Sequence, residues 1–107
     1  MDAQLRRGIL EASVLAALIG EESYGYKIVK DLSEHIDISE STLYPILKRL
    51  EESGCVTARS AEHNGRLRKY YSISEAGRHR INDFIYEWQE ITKAFEYIKE
   101  KYNNDKA

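Results

Sequence analysis

The stretch Ser41–Gly54, STLYPILKRLEESG, decides the fold of this chain of 107 residues. Its apolar side chains recur at i, i+3, i+4 and i+7, which is the spacing of one face of an α-helix. Pro45 has no amide proton and costs least in the first turn of a helix, so we expect Ser41 rather than Ser39 to cap it. The residues on the apolar face are Leu43, Ile46, Leu47 and Leu50.

The opposite face of this helix is polar. Ser41, Thr42 and Tyr44 carry hydroxyl groups that can form hydrogen bonds, and Lys48 can neutralise a phosphate. In a helix-turn-helix unit, the second helix lies in the major groove and meets the bases with residues near its N-terminus. The polar face therefore predicts a DNA-recognition helix, although a polar face that only meets solvent is the ordinary alternative.

A basic β-hairpin is predicted directly after Gly54. Residues 55–60 and 66–73 have the composition of two strands, and Asn64 and Gly65 between them suit the positive φ of a tight turn. The whole chain has a net charge of −2, but between residues 59 and 80 six arginines and lysines face two glutamates, a local charge of +4. A positive hairpin of this size suits DNA as a wing. Its candidate DNA contacts are Asn64, Arg66, Arg68 and Lys69.

Two further helices are predicted before the recognition helix, over residues 5–19 and from a cap at Ser23 to about Ile36. The element order is then α-α-α-β-β-α, a mainly helical winged helix-turn-helix with one small β-hairpin. We expect residues 1–75 to form this DNA-binding domain, residues 76–103 a C-terminal dimerisation helix, and residues 104–107 a disordered tail. Tyr24 and Tyr26 pack the second helix on the core or reach a phosphate.

The C-terminal helix, which Ser74 can cap, carries an apolar seam with the heptad spacing of a coiled coil. A domain this small would leave part of that seam in water, so the seam predicts a homodimer. Packing of the seam against the first helix alone is the alternative. The seam consists of Ile81, Phe84, Trp88, Ile91, Phe95, Ile98 and Tyr102, of which all but Tyr102 are our predicted dimer contacts.

Several classes of protein are disfavoured by the composition. The three histidines have no metal-ligand spacing, Cys55 has no evident histidine partner, and no Gly-rich phosphate loop of a recognised type is present, so we expect no enzyme activity, metal or cofactor. No segment is apolar enough to cross a membrane, and a leader peptide is not evident, so we expect a cytoplasmic protein without a membrane partner.

Three strings resemble the PadR family of transcriptional regulators: SYGYKI at Ser23–Ile28, the helix string at Ser41–Gly54, and GRLRKYYSISEAG at Gly65–Gly77. The resemblance covers nearly the whole chain. It implies a homodimeric winged-helix repressor that binds double-stranded operator DNA with an inverted repeat and leaves it when a small molecule binds. The single short C-terminal helix is similar to that of the compact subgroup.

Within that subgroup the chain resembles multidrug-responsive regulators, in which a tryptophan of the last helix stacks on flat aromatic ligands at the dimer centre. Trp88 matches that position, so the resemblance implies an aromatic effector site at Trp88. A pocket formed by two copies of Trp88 requires the dimer, and we expect Phe84, Ile91 and Val14 to line it. The drug binders have an acidic residue where this chain has Thr92. From spacing alone, simple packing of Trp88 in the seam remains the alternative.

The leading hypothesis is therefore a ligand-responsive homodimeric repressor. A second hypothesis is a winged-helix protein-interaction module that dimerises but does not bind DNA. A third is a ligand-binding dimer that has lost DNA binding. Salt-dependent binding to DNA distinguishes the first hypothesis from the other two, because counterion release is specific to nucleic-acid binding.

Overall fold

The computed structural model describes residues 1–106 and has the predicted order α-α-α-β-β-α. The molecule is elongated, 65 × 25 × 23 Å, because its last helix extends beyond the rest. Among the described residues, no helix is long and apolar enough to cross a membrane. The elements are α1 (Ala3–Ala16), α2 (Gly25–Leu32), α3 (Glu40–Glu52), β1 (Val56–His63), β2 (Arg66–Ile73) and α4 (Glu75–Lys106).

The core lies where the first three helices meet the base of the hairpin. The apolar face predicted for α3 is confirmed, because all four of its side chains are buried. They pack against α1, α2 and the first residues of β1, so the core holds α3 with its polar face turned outward. The other buried residues of this core include Val14, Leu15, Leu18, Ile28, Leu32, Ile38, Cys55, Val56 and Tyr71.

The hairpin forms as predicted, and β1 extends three residues further than expected, to His63. His63 pairs with Arg66, which leaves Asn64 and Gly65 as a two-residue turn with φ of 53° and 80°. Positive φ at both positions is the requirement of a type I′ turn, whose twist matches that of the two strands. The turn therefore projects the wing as a narrow ribbon beyond the core.

The start of α3 differs from the expectation. Ser39, not Ser41, is the N-cap, and its Oγ accepts a hydrogen bond from the backbone N–H of Thr42 at 3.3 Å. Pro45 consequently lies inside the helix. The proline leaves the Ser41 carbonyl without its helical donor, but both residues are exposed, so water can replace that hydrogen bond. The earlier start adds Glu40 to the first turn of α3.

The predicted cap of α2 at Ser23 is wrong. Tyr24 is the N-cap without a side-chain hydrogen bond, and the helix ends at Leu32 instead of about Ile36. Ser23 is 1 % exposed, and its backbone pairs with that of Tyr71 through hydrogen bonds of 3.0 and 2.8 Å. The extended backbone of this bridge turns the Ser23 side chain into the core, away from the amides of α2. The bridge also joins the start of α2 to the wing.

Helix α4 begins as predicted and ends later than predicted. The Ser74 Oγ accepts a hydrogen bond from the Gly77 N–H at 3.2 Å, which confirms the cap. The helix continues to Lys106, so the disordered tail expected from residue 104 is wrong for residues 104–106, and residue 107 lies outside the described residues. The division into a domain at residues 1–75 and a helix at residues 76–103 stays a prediction.

Candidate nucleic-acid interface

A cleft of about 640 Å³ separates the N-terminal half of α3 from the wing. Tyr44 lies on the α3 side, and Asn64, Arg66, Arg68 and Lys69 lie on the wing side. The structure thus brings together five of the eight side chains predicted to bind DNA. The other three, Ser41, Thr42 and Lys48, are exposed on α3 but do not line this cleft.

Hydroxyl groups form a small network at the tip of α3. The Ser39 Oγ lies 3.0 Å from the Ser41 Oγ and donates to the Thr42 Oγ1 at 3.1 Å. Since each hydroxyl both donates and accepts, the network orients these side chains before any ligand arrives. Ser41 and Thr42 are therefore held in place at the end of α3, where its backbone N–H groups favour an anion.

Arg68 is positioned by a tyrosine outside its own strand, Tyr24, which is itself in contact with Tyr70 of that strand. Its guanidinium carbon lies 3.8 Å from the centroid of the Tyr24 ring, and Tyr24 meets Tyr70 edge-on with ring centroids 5.8 Å apart. A guanidinium stacked on an aromatic face keeps its charge and its outward N–H donors. Tyr24 thus serves as the platform for a wing cation. Local sequence patterns could not identify this pair, because its members lie in different elements.

Two other cations of the wing are held by carboxylates of the same chain. The Lys69 Nζ lies 3.2 Å from an oxygen of Glu51, and this hydrogen bond raises the pKa of Lys69. The Arg59 Nε donates to Glu22 at 2.9 Å, and its Nη2 donates to the other oxygen of that carboxylate. Arg66 and Arg68 have no ion-pair partner within residues 1–106, so the free positive charge of the wing is concentrated on them.

One cleft residue was missed by the sequence reasoning altogether. Glu40 is exposed, lines the cleft, and accepts a hydrogen bond from the Tyr44 hydroxyl at 3.1 Å. The signal was the i, i+4 spacing of Glu40 and Tyr44, which brings the two side chains together only if the helix already includes Glu40. Placing the cap at Ser41 excluded Glu40 from α3.

The predicted effector residues are only partly brought together. Phe84 and Trp88 are half-buried with ring centroids 6.0 Å apart, and both line a groove of about 300 Å³ with Ile91. Val14 does not line this groove, because it points into the core and is 0 % exposed. The α1 residues that border it are Gln4, Leu5 and Gly8.

Burial of the predicted dimer seam decreases along α4. Ile81 packs on the core of its own chain. Phe84 and Trp88 are half-buried, and beyond them Ile91, Phe95, Ile98 and Tyr102 are exposed on a single helix.

The fold and the cleft define a winged helix-turn-helix protein of the DNA-binding class, with α3 as recognition helix and the β1–β2 hairpin as wing. Residues 1–106 hold no cluster of three histidine, cysteine or acidic side chains that could bind a metal. A family model described as the transcriptional regulator PadR-like family matches residues 14–83. The chain belongs to this family of transcriptional regulators, which are not enzymes.

Individual relatives agree with this assignment. The transcriptional regulator Rv3488 of Mycobacterium tuberculosis is 30 % identical over 81 residues, covering 75 % of this chain and 76 % of that protein. The crystal structure of a Streptococcus transcriptional regulator is 33 % identical with a TM-score of 0.78, covering 92 % of this chain and 99 % of the other. Bacillus subtilis PadR, solved in complex with operator DNA, shares the fold with a TM-score of 0.67 at 24 % identity, covering 72 % of this chain and 46 % of that one.

Proposed function

We propose that this protein is a homodimeric repressor whose α3 enters the major groove of an inverted-repeat operator while the wing contacts the adjacent backbone. The cleft between α3 and the wing carries the proposal, because it places Tyr44 opposite Arg66 and Arg68 on a rigid core. Ser41, Thr42 and Lys48 on α3 and Asn64 at the wing tip complete the contact surface. The operator complex of Bacillus subtilis PadR supports the proposal, since that protein shares this fold.

The wing contributes less charge than its sequence indicates. The charge of Lys69 is neutralised by its ion pair with Glu51. We therefore assign the main phosphate contacts of the wing to Arg66 and Arg68. Arg66 is exposed near the turn, and Arg68 is held by the Tyr24 ring. Phosphate contacts of this kind set register and affinity without reading sequence. Lys69 then acts chiefly to fix β2 against α3.

The exposed part of α4 supports a homodimer. Ile91, Phe95 and Ile98 follow the heptad spacing and are 47 %, 55 % and 62 % exposed. An apolar stripe on a single helix is unfavourable in water and is covered most simply by the same stripe of a second copy. Such an arrangement joins two winged domains by a two-fold axis, which matches the symmetry of an inverted repeat.

An effector site at the dimer centre follows from the same arrangement. Phe84, Trp88 and Ile91 border the groove against α1, and a second copy would bring a second indole to it. Flat aromatic molecules suit a pocket between two such rings. Binding there would shift the separation of the two α3 helices and so favour release from DNA, which is a coupling between distinct sites.

A physical link for this coupling joins α4 to the recognition helix. Glu11 of α1, whose side chain is only 15 % exposed, lies 3.6 Å from Arg49 of α3 and 3.8 Å from Arg80 of α4. Arg7 of α1 also lies 3.8 Å from this carboxylate. A carboxylate that is shared by guanidinium groups of α3 and α4 opposes the separation of these two helices. Rotation of α4 about the dimer axis is therefore transmitted to α3 through this cluster.

The DNA face is tested with a binding site selected from a random duplex library by the purified protein. Affinity for the selected duplex should fall steeply with salt and should fall further when Tyr44 and Lys48 are both replaced by alanine. A matched control replaces Lys30 and Tyr97, which are exposed away from the cleft. Unchanged affinity of the Tyr44 and Lys48 variant would overturn the DNA face. Failure of the unaltered protein to bind any duplex would favour the protein-interaction module.

A further inference from the structure

Tyr44 and Glu40 form a pair at the mouth of the cleft, one helical turn apart on α3. The phenol oxygen lies 3.1 Å from the Glu40 carboxylate, and the Tyr44 side chain is 47 % exposed, so the pair is accessible from the side proposed to face DNA. The role of this pair rests on the proposed DNA-binding function.

The pair offers only hydrogen-bond acceptors to an incoming ligand. A carboxylate without a proton can only accept a hydrogen bond, so the Tyr44 hydroxyl is the donor of this hydrogen bond and Glu40 is the acceptor. Burial raises the pKa of Tyr44, as do the hydrogen bond and the negative charge of Glu40, so the phenol keeps that proton. The free lone pairs of the phenol oxygen and of the carboxylate are then directed outward.

Gly25 fixes the tyrosine ring in this position. A Cβ atom at Gly25 would lie 2.8 Å from the Cζ and 3.0 Å from the Cε1 of Tyr44, so the ring rests where any other side chain would stand. Gly25 is buried at the start of α2, and its neighbour Tyr24 supports Arg68 across the cleft. The same turn of chain therefore positions both the acceptor pair and a wing cation.

The charge of Glu40 indicates what the pair recognises. Glu40 has no ion-pair partner in the part of the chain that the structure describes. Phosphates repel a carboxylate at a DNA-binding face, so this group is favourable there only if it accepts a hydrogen bond from a base. In the major groove, the hydrogen-bond donors of the bases are two exocyclic amino groups, N6 of adenine and N4 of cytosine.

We propose that Glu40 and Tyr44 together read one exocyclic amino group in each half-site of the operator, with Gly25 as the positioning residue. Glu40 then supplies specificity at a cost in overall affinity. Arg66 and Arg68 instead supply affinity without specificity, since contacts to the DNA backbone do not depend on sequence.

The test compares the unaltered protein with Glu40→Ala on a selected duplex and on copies that lack one amino group at a time, with purine for adenine or pyrimidin-2-one for cytosine. Alanine is used because a glutamine would keep an acceptor oxygen at this position. Loss of one amino group in each half-site should weaken the unaltered protein about tenfold. The same change should weaken Glu40→Ala less than about threefold, while Glu40→Ala binds random DNA more tightly because an anion is gone. Which analogue has the effect identifies adenine or cytosine.

Glu52→Ala is the matched control, because it removes the same side chain and charge from an exposed position at the other end of α3. It should keep the discrimination of the unaltered protein. Equal amino-group discrimination by Glu40→Ala and the unaltered protein would overturn the inference while leaving DNA binding intact. Absence of DNA binding by the unaltered protein would overturn the proposed function itself.

Gly25→Ala supplies a second line of evidence. It should reduce discrimination at the same base about as much as Tyr44→Ala does, and it should have no further effect in a Tyr44→Ala background. Thermal unfolding of each variant separates this result from loss of the fold. Independent, additive losses in the double variant would contradict the positioning role of Gly25.

Discussion

The winged-helix part and the end of α4 use apolar residues in opposite ways. From α1 to the base of the wing, the apolar faces are buried within one chain, whereas every residue from 89 to 106 is exposed. The first part therefore has a core made by its own contacts, whereas the apolar residues of the second part have no cover within the chain. This difference is why we assign the proposed DNA face to the first part and the proposed dimer interface to the second.

The largest effect is expected where α4 enters the packed part. A Cβ at Gly77 would clash with the Cys55 backbone oxygen and would lie 2.7 Å from the Ile73 Cγ1. Gly77→Ala should destabilise the fold by about 2–3 kcal/mol, since the backbone oxygen cannot move aside cheaply. Gly8→Ala is the control, because nothing lies within 4 Å of a Cβ there, and it should gain up to about 1 kcal/mol of helix stability. Urea unfolding at one protein concentration measures both, and equal stability of the two variants would refute this packing.

A smaller effect, confined to association, is expected from Phe95→Ala on the exposed part of α4. If a second copy covers this ring, its removal should weaken the dimer by about 2 kcal/mol for each copy. Tyr97→Ala is matched in exposure, 63 % against 55 %, but lies off the heptad seam and should change little. Sedimentation equilibrium gives the dissociation constants. Equal dimer weakening by the two substitutions would show that the seam does not form the interface.

The cations of the wing differ in whether a carboxylate of the packed part neutralises them. Lys69 pairs with Glu51 of α3, whereas Arg66 does not pair with a carboxylate among residues 1–106. Arg66→Ala should cost about 1 kcal/mol of operator affinity for each copy and lower the salt slope by about one. Lys69→Ala should lower the slope less, because Glu51 already neutralises Lys69. Fluorescence anisotropy across a salt series measures both slopes. A larger change for Lys69→Ala would reverse the assignment of wing charge.

The smallest effect concerns the ion pair that ties the wing to the turn before α2. The hydrogen bond from Arg59 lowers the pKa of Glu22 from its usual 4.5. Stabilisation by this group is present above pH 4.5 and is lost as the pH falls through the lowered pKa of the folded state. Glu22→Gln should thus melt below the unaltered protein near neutral pH, and the gap should close in acid. The Glu62→Gln control, which removes a carboxylate from the wing itself, should show no such gap.

Much of the fold follows from local pattern, and the exceptions have identifiable causes. The apolar spacing of α3 and the Asn64–Gly65 turn specify their elements because side-chain period and positive φ are local properties. The cap of α3 was misplaced because Pro45 is tolerated inside this helix at an exposed carbonyl. Ser23 has the composition of a cap, but a bridge to Tyr71, distant in sequence, decides its backbone.

The candidate site shows the same limit. Its residue types on α3 and the wing could be predicted, but not their partners. The Tyr24 platform under Arg68 and the Glu51 carboxylate on Lys69 join separate elements, and no periodicity encodes such pairs. Val14 was assigned to the effector site, but α1 turns this side chain into the core, where it is fully buried. Glu40 was excluded from α3 because the cap was predicted at Ser41 and not at Ser39.

We propose that two copies joined along α4 present two identical reading units to one operator. Native mass spectrometry of the protein with a selected duplex counts the chains on each DNA molecule directly. Two chains per duplex are expected, with the one-chain complex absent at protein concentrations that keep the dimer intact. A complex of one chain per duplex with the same affinity would contradict the claim.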